Sequence, residues 1–486
     1  MTPSNRVFED ICHECAALVP DVSIDGVRDF IPGLDRTVPV VCGGERRYVN
    51  LDNAATTPPF TTVVDCLERF FQWYSSVHRG TGFKSLLSTQ VYECCREVIG
   101  EFIGADSSHQ TLIFVQNATH ALNKLALRIC LPEGGTVLTT AMEHHSNLLP
   151  WRKLPCSTVY AGVRREDGTL DLEALRRQVR RHRGNLCLIT VTAASNVTGN
   201  MPPIRRIARL AHENGAMVAV DATQLVPHRP FRMGAPDDPE RIDFAAFSAH
   251  KMYAPFGCGV LVGPRKVFEE TPPDTVGGGT VEAVTLEDTI WAEPPERDEA
   301  GTPNVLGAIA LATAVRTLQS IGMDELAEHE RALTRRALRQ LLEMEDLTLY
   351  GRRDPDLGVD RLGVITMTTP QLNHGQLAAV LGYEWGIGVR NGCFCAQPYV
   401  RELLGVSDEE MRTITRKLSA GDHATVPGLV RMSLGCYNTE EEVDYLVEAL
   451  RSVLTDGPQA TYRLDPAHLD YVPESPPFDL RAYSPF

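Results

Sequence analysis

Long apolar runs are missing from this chain. No stretch approaches the roughly 18 to 20 consecutive apolar residues that a membrane-spanning helix needs. The first residues, Met1-Thr2-Pro3-Ser4-Asn5-Arg6, lack the charged and apolar regions of a signal peptide. Positive charge is also short: 47 Lys and Arg against 63 Asp and Glu leave a net charge of −16. That balance argues against non-specific binding to nucleic acid and to an anionic membrane surface. No internal repeat is visible. The 13 cysteines are odd in number and follow no repeating frame, so they read as reduced thiols of a cytoplasmic protein rather than a disulfide scaffold. Cys66, Cys130, Cys187 and Cys258 have apolar neighbours and are expected as small core residues. Cys12-His13-Glu14-Cys15 has C-x-x-C spacing but no second pair, and no metal is expected there.

What is present is an ordinary globular composition, 43% hydrophobic and 23% charged, over 486 residues, enough for a large core and two domains. From about 110 to 265 short apolar runs alternate with helical patterns, the signature of a mainly parallel α/β sheet with crossover helices. The strand candidates are Leu112 to Val115, Thr136 to Thr139, Leu186 to Val191, Ala216 to Val220, Phe244 to Phe247 and Gly259 to Val262. Pro202-Pro203 opens a helix through His212 and Gly215 follows it. The loop after Val262 reads as long and irregular. A helix from Met323 to Met344 leads into an α+β pattern: strands Leu362 to Met367 and Leu429 to Leu434, helices Gln376 to Leu381 and Glu440 to Leu454. The expected division is an N-terminal segment 1–50 packing on the small domain, a large domain 51–320, a small C-terminal domain 321–455, and a proline-rich extended tail 456–486 that wraps the surface or stays mobile.

Reactive groups gather in loops that follow predicted strands, which in a doubly wound sheet lie together at its carboxyl edge. Lys251 follows the strand ending at Phe247, and Asp221 closes the strand before it. An amine to hold an aldehyde and a carboxylate to keep a ring nitrogen protonated are what a pyridoxal phosphate site needs. Gln116 to His120 precedes a helical run and suits an anion, although its Thr119 serves equally as an ordinary cap. His144 and His145 read as a stacking or acid–base imidazole, with a plain structural role left open. Asn196 is placed to bond a ring hydroxyl, and Gln224 lies three residues after Asp221. In Arg390-Asn391-Gly392-Cys393-Phe394-Cys395 a cysteine beside an arginine is a candidate thiolate; a free surface cysteine and a C-x-C metal pair are the alternatives. Arg431 is a candidate carboxylate clamp or a surface arginine.

Together these segments resemble the class V, fold-type I pyridoxal phosphate aminotransferase superfamily, and within it the group II cysteine desulfurases and selenocysteine lyases. The resemblance runs from about residue 27 to 453. It rests on Asn50 to Ala55, Val77 to Gly80, Met142 to His145, Ser195 to Val197, Val220 to Gln224, Phe247 to Lys251, Glu299 to Asn304 and Tyr437 to Thr439. It implies a large domain with a mainly parallel, seven-stranded type of sheet and a smaller α+β C-terminal domain. It also implies pyridoxal 5'-phosphate anchored on Lys251, with Asp221 at the ring nitrogen and His144 stacked on the ring for proton transfer. Gln224 and Asn196 would approach the ring oxygen and substrate. Ala118, Thr119, Ser248 and His250 would hold the phosphate, joined by Thr302 from the neighbouring subunit of a homodimer. Arg431 would bind the amino-acid carboxylate, with Arg390, His78 and Asn53 beside the substrate. Cys395 aligns with the nucleophile that takes sulfur from L-cysteine, leaving alanine and an enzyme persulfide whose sulfur passes to an acceptor thiol.

The chain departs from that family at three places. Arg-Thr-Gly-His-His-Cys is replaced by Arg390-Asn391-Gly392-Cys393-Phe394-Cys395, so two histidines are lost and Cys393 is gained. Gly-Thr-Thr-Glu becomes Asn117-Ala118-Thr119-His120. The segment 407–427 is longer and more charged than usual and is a candidate lid or acceptor-docking element. Other chemistry on the same cofactor is the alternative: C–S or C–Se lysis, or epimerisation or transamination of a different amino acid, the last two needing no thiol.

Overall fold

The computed structural model describes residues 20–41, 43–356, 360–419, 426–465 and 470–485. The apolar runs of the first half become one seven-stranded sheet: β1 Gln110–Val115, β2 Thr136–Thr140, β3 Ser157–Ala161, β4 Leu186–Thr192, β5 Met217–Asp221, β6 Phe244–Ser248 and β7 Gly259–Pro264. Their spatial order is β1-β7-β6-β5-β4-β2-β3. Only β7 runs against its neighbours. Six of these strands match the sequence expectation, and β3 is an addition to it.

Alternate side chains of each strand enter different cores. Leu112, Phe114 and Ile189 pack in the larger one, with the helices Phe83–Ile103 and Val305–Ile321. Ile113, Val115 and Leu188 pack in the other with the helix Ala118–Arg128. Both faces being covered explains why the strands read as continuous apolar runs rather than alternations. Gly259 in β7 allows a close approach, since a Cβ there would lie 2.6 Å from Cα of Asn117. The loop that starts the helix Ala118–Arg128 can therefore sit directly on the sheet edge.

A second sheet, four-stranded and antiparallel, runs in the order Thr348–Tyr350, Val364–Thr368, Leu429–Ser433, Arg390–Gly392 and has its own core, in the part of the chain expected as the small domain. The helices Met323–Leu341, His374–Trp385 and Glu440–Asp456 supply its core with Leu338, Leu381 and Leu450. The N-terminal segment touches both domains. Val22, Val27 and Ile31 join the large-domain core, while Val49 and Leu51 enter the small-domain core. Arg28 and Arg47 both reach Glu442 there.

The structure refines four expectations. The stretch after Val262 is irregular only in part: the loop through Pro272-Pro273 and Gly277-Gly278-Gly279 lies in no helix or strand, but a helix, Arg265–Glu270, precedes it and a hairpin of Val281–Val284 with Thr289–Trp291 follows. The tail forms a hairpin of Tyr462–Asp465 with Asp470–Pro473, docked on the helix His374–Trp385. There Asn373 donates to the Tyr471 hydroxyl at 3.0 Å, and the carboxylate of Glu384 accepts from Gln459 N, Ala460 N and Tyr462 Oη. The cysteines diverge too: Cys258 is buried, Cys66 and Cys187 are half-buried, and Cys130 is exposed. Cys94 is disulfide-bonded, an exception to uniformly reduced thiols. Cys12 and Cys15 lie outside the described residues. The segment 407–427 contains the helix Asp408–Ser419, which has no buried residue; 420–425 also fall outside. Among the described residues no single helix is long and apolar enough to cross a membrane.

Candidate active site

Five loops leave the carboxyl edge of the large sheet, after β1, β2, β4, β5 and β6, where ligands bind in sheets of this kind. Lys251 ends the short 3-10 turn Ala249–Lys251 that follows β6. The carbonyl before it, on His250, accepts hydrogen bonds from Thr57 N at 3.0 Å and from the hydroxyls of Thr56 and Thr57 at 3.1 Å each. Burial brings the Lys251 amine down to about 8 and the Arg431 cation adds to that, while Asp221, Cys395 and Asp52 oppose it. One amine therefore lies within the fields of four groups drawn from four parts of the chain.

Asp221 is buried at the end of β5 and accepts from Thr223 N at 3.1 Å. The Thr223 hydroxyl beside it is buried without a partner. Gln224 donates to the Ala54 carbonyl at 2.9 Å. After β2, His144 Nδ1 accepts from Ser146 N at 3.1 Å and sits 3.0 Å from the Ser146 hydroxyl. Nδ1 is therefore the acceptor and the ring proton resides on Nε2. Burial takes His144 down to about 4, with Lys251, His145 and Arg431 acting the same way and Asp221 opposing, so the ring is neutral. His250 is likewise taken to about 4 by burial and Lys251.

At the start of the helix Ala118–Arg128, Asn117 caps His120 N at 2.9 Å. Ala118 N donates to the Ser248 hydroxyl at 2.8 Å, and the Thr119 hydroxyl meets that of Ser146 at 2.6 Å. Ala118, Thr119 and Ser248 thus converge at a helix N-terminus, where amides and the helix dipole favour an anion.

Arg431, on the central small-domain strand, reaches across to the large domain. Its Nη2 donates to Asp52 Oδ1 at 2.7 Å and its Nη1 to the Asn196 carbonyl at 3.0 Å; its guanidinium stacks 4.9 Å above the Phe394 ring. Its Nε is buried without a partner. Arg390 is 4.0 Å from the other Asp52 oxygen. Cys395 is exposed and Cys393 half-buried. Phe394 and Cys395 hold φ of 52° and 54°, and Ala396 N donates to the Cys393 carbonyl at 2.8 Å. Residues 393–396 are therefore a turn with both central residues left-handed. Three outside contacts hold it: Asn196 Nδ2 to the Phe394 carbonyl at 2.8 Å, His145 N to the Cys395 carbonyl at 2.7 Å, and Gln397 N to His145 Nε2 at 3.3 Å.

Two expected substrate-side residues, Asn53 and His78, lie elsewhere, and Thr302, expected at the neighbouring subunit's phosphate, lies with His78. Asn53 is fully engaged with protein: it donates to the carbonyls of Asn50 and Ser433 and to Asn438, and accepts from Tyr437 Oη at 2.7 Å. His78 and Thr302 share a separate cavity of about 350 Å³ with Arg79, Glu296 and Glu299. Two residues without an expected role belong to the site. Asp52, inside the stretch Asn50 to Ala55, is the Arg431 counter-ion. Glu143, in Met142 to His145, is fully buried behind His144, accepting from Thr140 Oγ1 at 2.5 Å and Asn147 Nδ2 at 2.6 Å; burial raises its carboxyl to about 8.

A family model for class-V aminotransferases matches residues 49–446. A cysteine desulfurase of Escherichia coli O8 is 35% identical over 445 residues, covering 89% of this chain and 98% of its own length. A probable cysteine desulfurase of Halalkalibacterium halodurans is 34% identical over 434 residues, covering 87% and 96%. Among solved structures, an apo cysteine desulfurase of Thermococcus onnurineus NA1 superposes with a TM-score of 0.76 at 30% identity, covering 90% of this chain and 98% of that one.

Proposed function

We infer that this chain, which belongs to the class-V aminotransferase family, removes sulfur from L-cysteine to give alanine and a persulfide on Cys395. The observation that carries the reading is the convergence on Lys251: a carboxylate, a guanidinium and a thiol all act on one buried amine. The first two suit any amino-acid substrate of this family. A thiol presented on a pinned turn adds the group that accepts sulfur.

The residues fit pyridoxal phosphate, and the partnerless buried Thr223 hydroxyl beside Asp221 is consistent with a bound group. When bound, the cofactor supplies an electron sink that acidifies the substrate Cα–H. Lys251 would anchor it and then, with an amine near 8, serve as a base close to neutrality. Asp221 would hold the proton on the ring nitrogen. His144, neutral and fixed by Ser146, would lie over the ring and move protons through Nε2. Gln224 and Asn196 would border the ring hydroxyl side, and Ala118, Thr119, Ser248 and His250 the phosphate. Arg431 would take the substrate carboxylate, offering its free Nε, with Asp52 as resident counter-ion and Arg390 at the rim. Asn53 would act through Asp52 by fixing that segment. Cys395, as thiolate, would attack the substrate sulfur and later yield it to an acceptor thiol. That chemistry needs a reducing compartment, which favours the cytoplasm.

A homodimer completes the reading. Exposed Phe71, Trp73, Tyr74, Phe83 and Leu86 flank the loop of His78, and Arg79 ties that loop to the hairpin at Val281. A second copy covering this face would bring Thr302 and His78 to its partner's site. The deciding experiment incubates the holoenzyme with L-cysteine and a reducing thiol and quantifies alanine and sulfide. Equal amounts of both are expected. Changes in the visible band without either product would refute the reading. Turnover that survives Cys395→Ser would favour epimerisation, transamination or lysis without a thiol.

A further inference from the structure

We propose that Cys393 is a resolving thiol, which displaces sulfide from the Cys395 persulfide and closes a Cys393–Cys395 disulfide; this rests on the desulfurase reading of Cys395. The turn supplies the geometry. Were Phe394 extended, the Cα atoms on either side of it would be about 7 Å apart, too far for a disulfide. With Phe394 at φ 52° and the Ala396 N to Cys393 carbonyl bond closing the turn, they come to roughly 5.5 Å, inside the usual disulfide range. Phe and Cys are poor occupants of such a turn, which other chains fill with Asn-Gly. Left-handed backbone costs a residue with a side chain on the order of 1–2 kcal/mol. The conformation persists because Asn196 and His145 hold the two central carbonyls and Arg431 lies on the Phe394 ring. The protein thus maintains, against local preference, a turn that brings the Cα atoms of Cys393 and Cys395 within disulfide range.

The step balances without an outside oxidant. The Cys393 thiolate attacks Sγ of Cys395, the S–S bond of the persulfide breaks, and its terminal sulfur leaves as hydrosulfide with the bonding pair. Two thiol sulfurs are oxidised to the disulfide and the sulfane sulfur is reduced to sulfide. A dithiol reductant then reopens the pair. Burial holds the Cys393 thiol above its ordinary range, against the lowering effect of a hydrogen bond from the Cys395 backbone. Resolution is therefore slow near neutrality, leaving the persulfide to an acceptor thiol when one is docked, and accelerates as pH rises. Without an acceptor each site releases one sulfide and stops.

Both cysteines fall on one tryptic peptide, residues 391–401, bounded by Arg390 and Arg401 and containing no other cysteine. The holoenzyme, freed of reductant, receives a single equivalent of L-cysteine and is alkylated and digested. The expected wild-type peptide is unalkylated and about 2 Da lighter than the dithiol, with one sulfide released per alanine. Cys393→Ser should instead keep the persulfide, a gain of about 32 Da. Alanine formed while the wild-type peptide stays persulfidated, with no disulfide at pH 7 or pH 9, overturns the proposal. Absence of alanine overturns the desulfurase reading itself. If Cys393→Ser fails to fold, the wild-type peptide decides alone.

Discussion

Replacing Glu143 by Gln should make the protein more stable, by an amount that grows with pH. Glu143 is fully enclosed behind His144, and burial lifts its carboxyl from 4.5 to about 8 against the opposing hydrogen bonds of Thr140 and Asn147. The folded state keeps a proton that the unfolded chain releases above 4.5. Glu143 therefore costs nothing below that pH and costs stability progressively as pH rises to about 8, at about 1.4 kcal/mol per unit. At pH 7 the accumulated cost is roughly 3 kcal/mol. Glu143→Gln keeps the shape: its carbonyl accepts from Asn147, and its amide donates to the Thr140 hydroxyl, which turns to accept. Urea titrations of both holoenzymes from pH 5 to 9 test this. The two should nearly coincide at pH 5, diverge in favour of the variant, and level off above pH 8. His144 and His250, both taken to about 4 by burial, have the opposite linkage. They add stability above 6.5 that is lost as pH falls through 4, and they cancel in the difference between the two proteins. Parallel pH profiles would refute the reasoning.

Cys395→Ser should abolish alanine release from L-cysteine yet keep the yellow colour of bound cofactor, read by absorbance, because the thiol does not hold the cofactor. Arg431→Lys keeps charge but loses the planar fork shared by Asp52 and the Asn196 carbonyl. The loss of a charge-assisted bond, about 1.5–3 kcal/mol, should raise the KM for cysteine roughly 10- to 100-fold, measured by alanine release against cysteine concentration. Deleting residues 458–486 strips Glu384, 1% exposed, of the donors from Gln459, Ala460 and Tyr462. Thermal unfolding should then reveal a loss of about 3 kcal/mol or more.

The strands of the large sheet were legible because both of their faces are buried, so each reads as an apolar run. β3 escaped for the converse reason: its burial is incomplete, with Ser157 and Tyr160 exposed, whereas the other edge strand, β1, is buried throughout after Gln110 and was legible. The two short hairpins at 281–291 and 462–473 escaped because strands of three or four residues carry almost no period, and the second is held by the helix His374–Trp385 rather than by its own sequence. Residue types told which groups gather at the sheet edge. They did not tell which groups pair. Asp52 and Arg431 are 379 residues apart, and no local pattern distinguishes Asp52, which faces Arg431, from Asn53, which is spent on Asn50, Ser433, Tyr437 and Asn438.

The turn at 393–396 shows why part of a site is unreadable from its own residues. Neither Phe394 nor Cys395 prefers the left-handed region, so local propensity predicts an extended loop that carries Cys395 away from Cys393. Three distant elements overrule it: the loop after β2 through His145, the loop after β4 through Asn196, and the small-domain strand through Arg431. Arg431 bonds Asp52 and the carbonyl of Asn196, the same residue whose side chain holds Phe394. The group offered to a substrate carboxylate and the clamp on the thiol turn are therefore one connected set of hydrogen bonds. A ligand that drew Arg431 off the Asn196 carbonyl would loosen the clamp on Phe394 and with it the turn that carries Cys395. Strain held by two domains at once is stable only while their contact stays closed, which ties the position of the thiol to the docking of the small domain on the sheet edge.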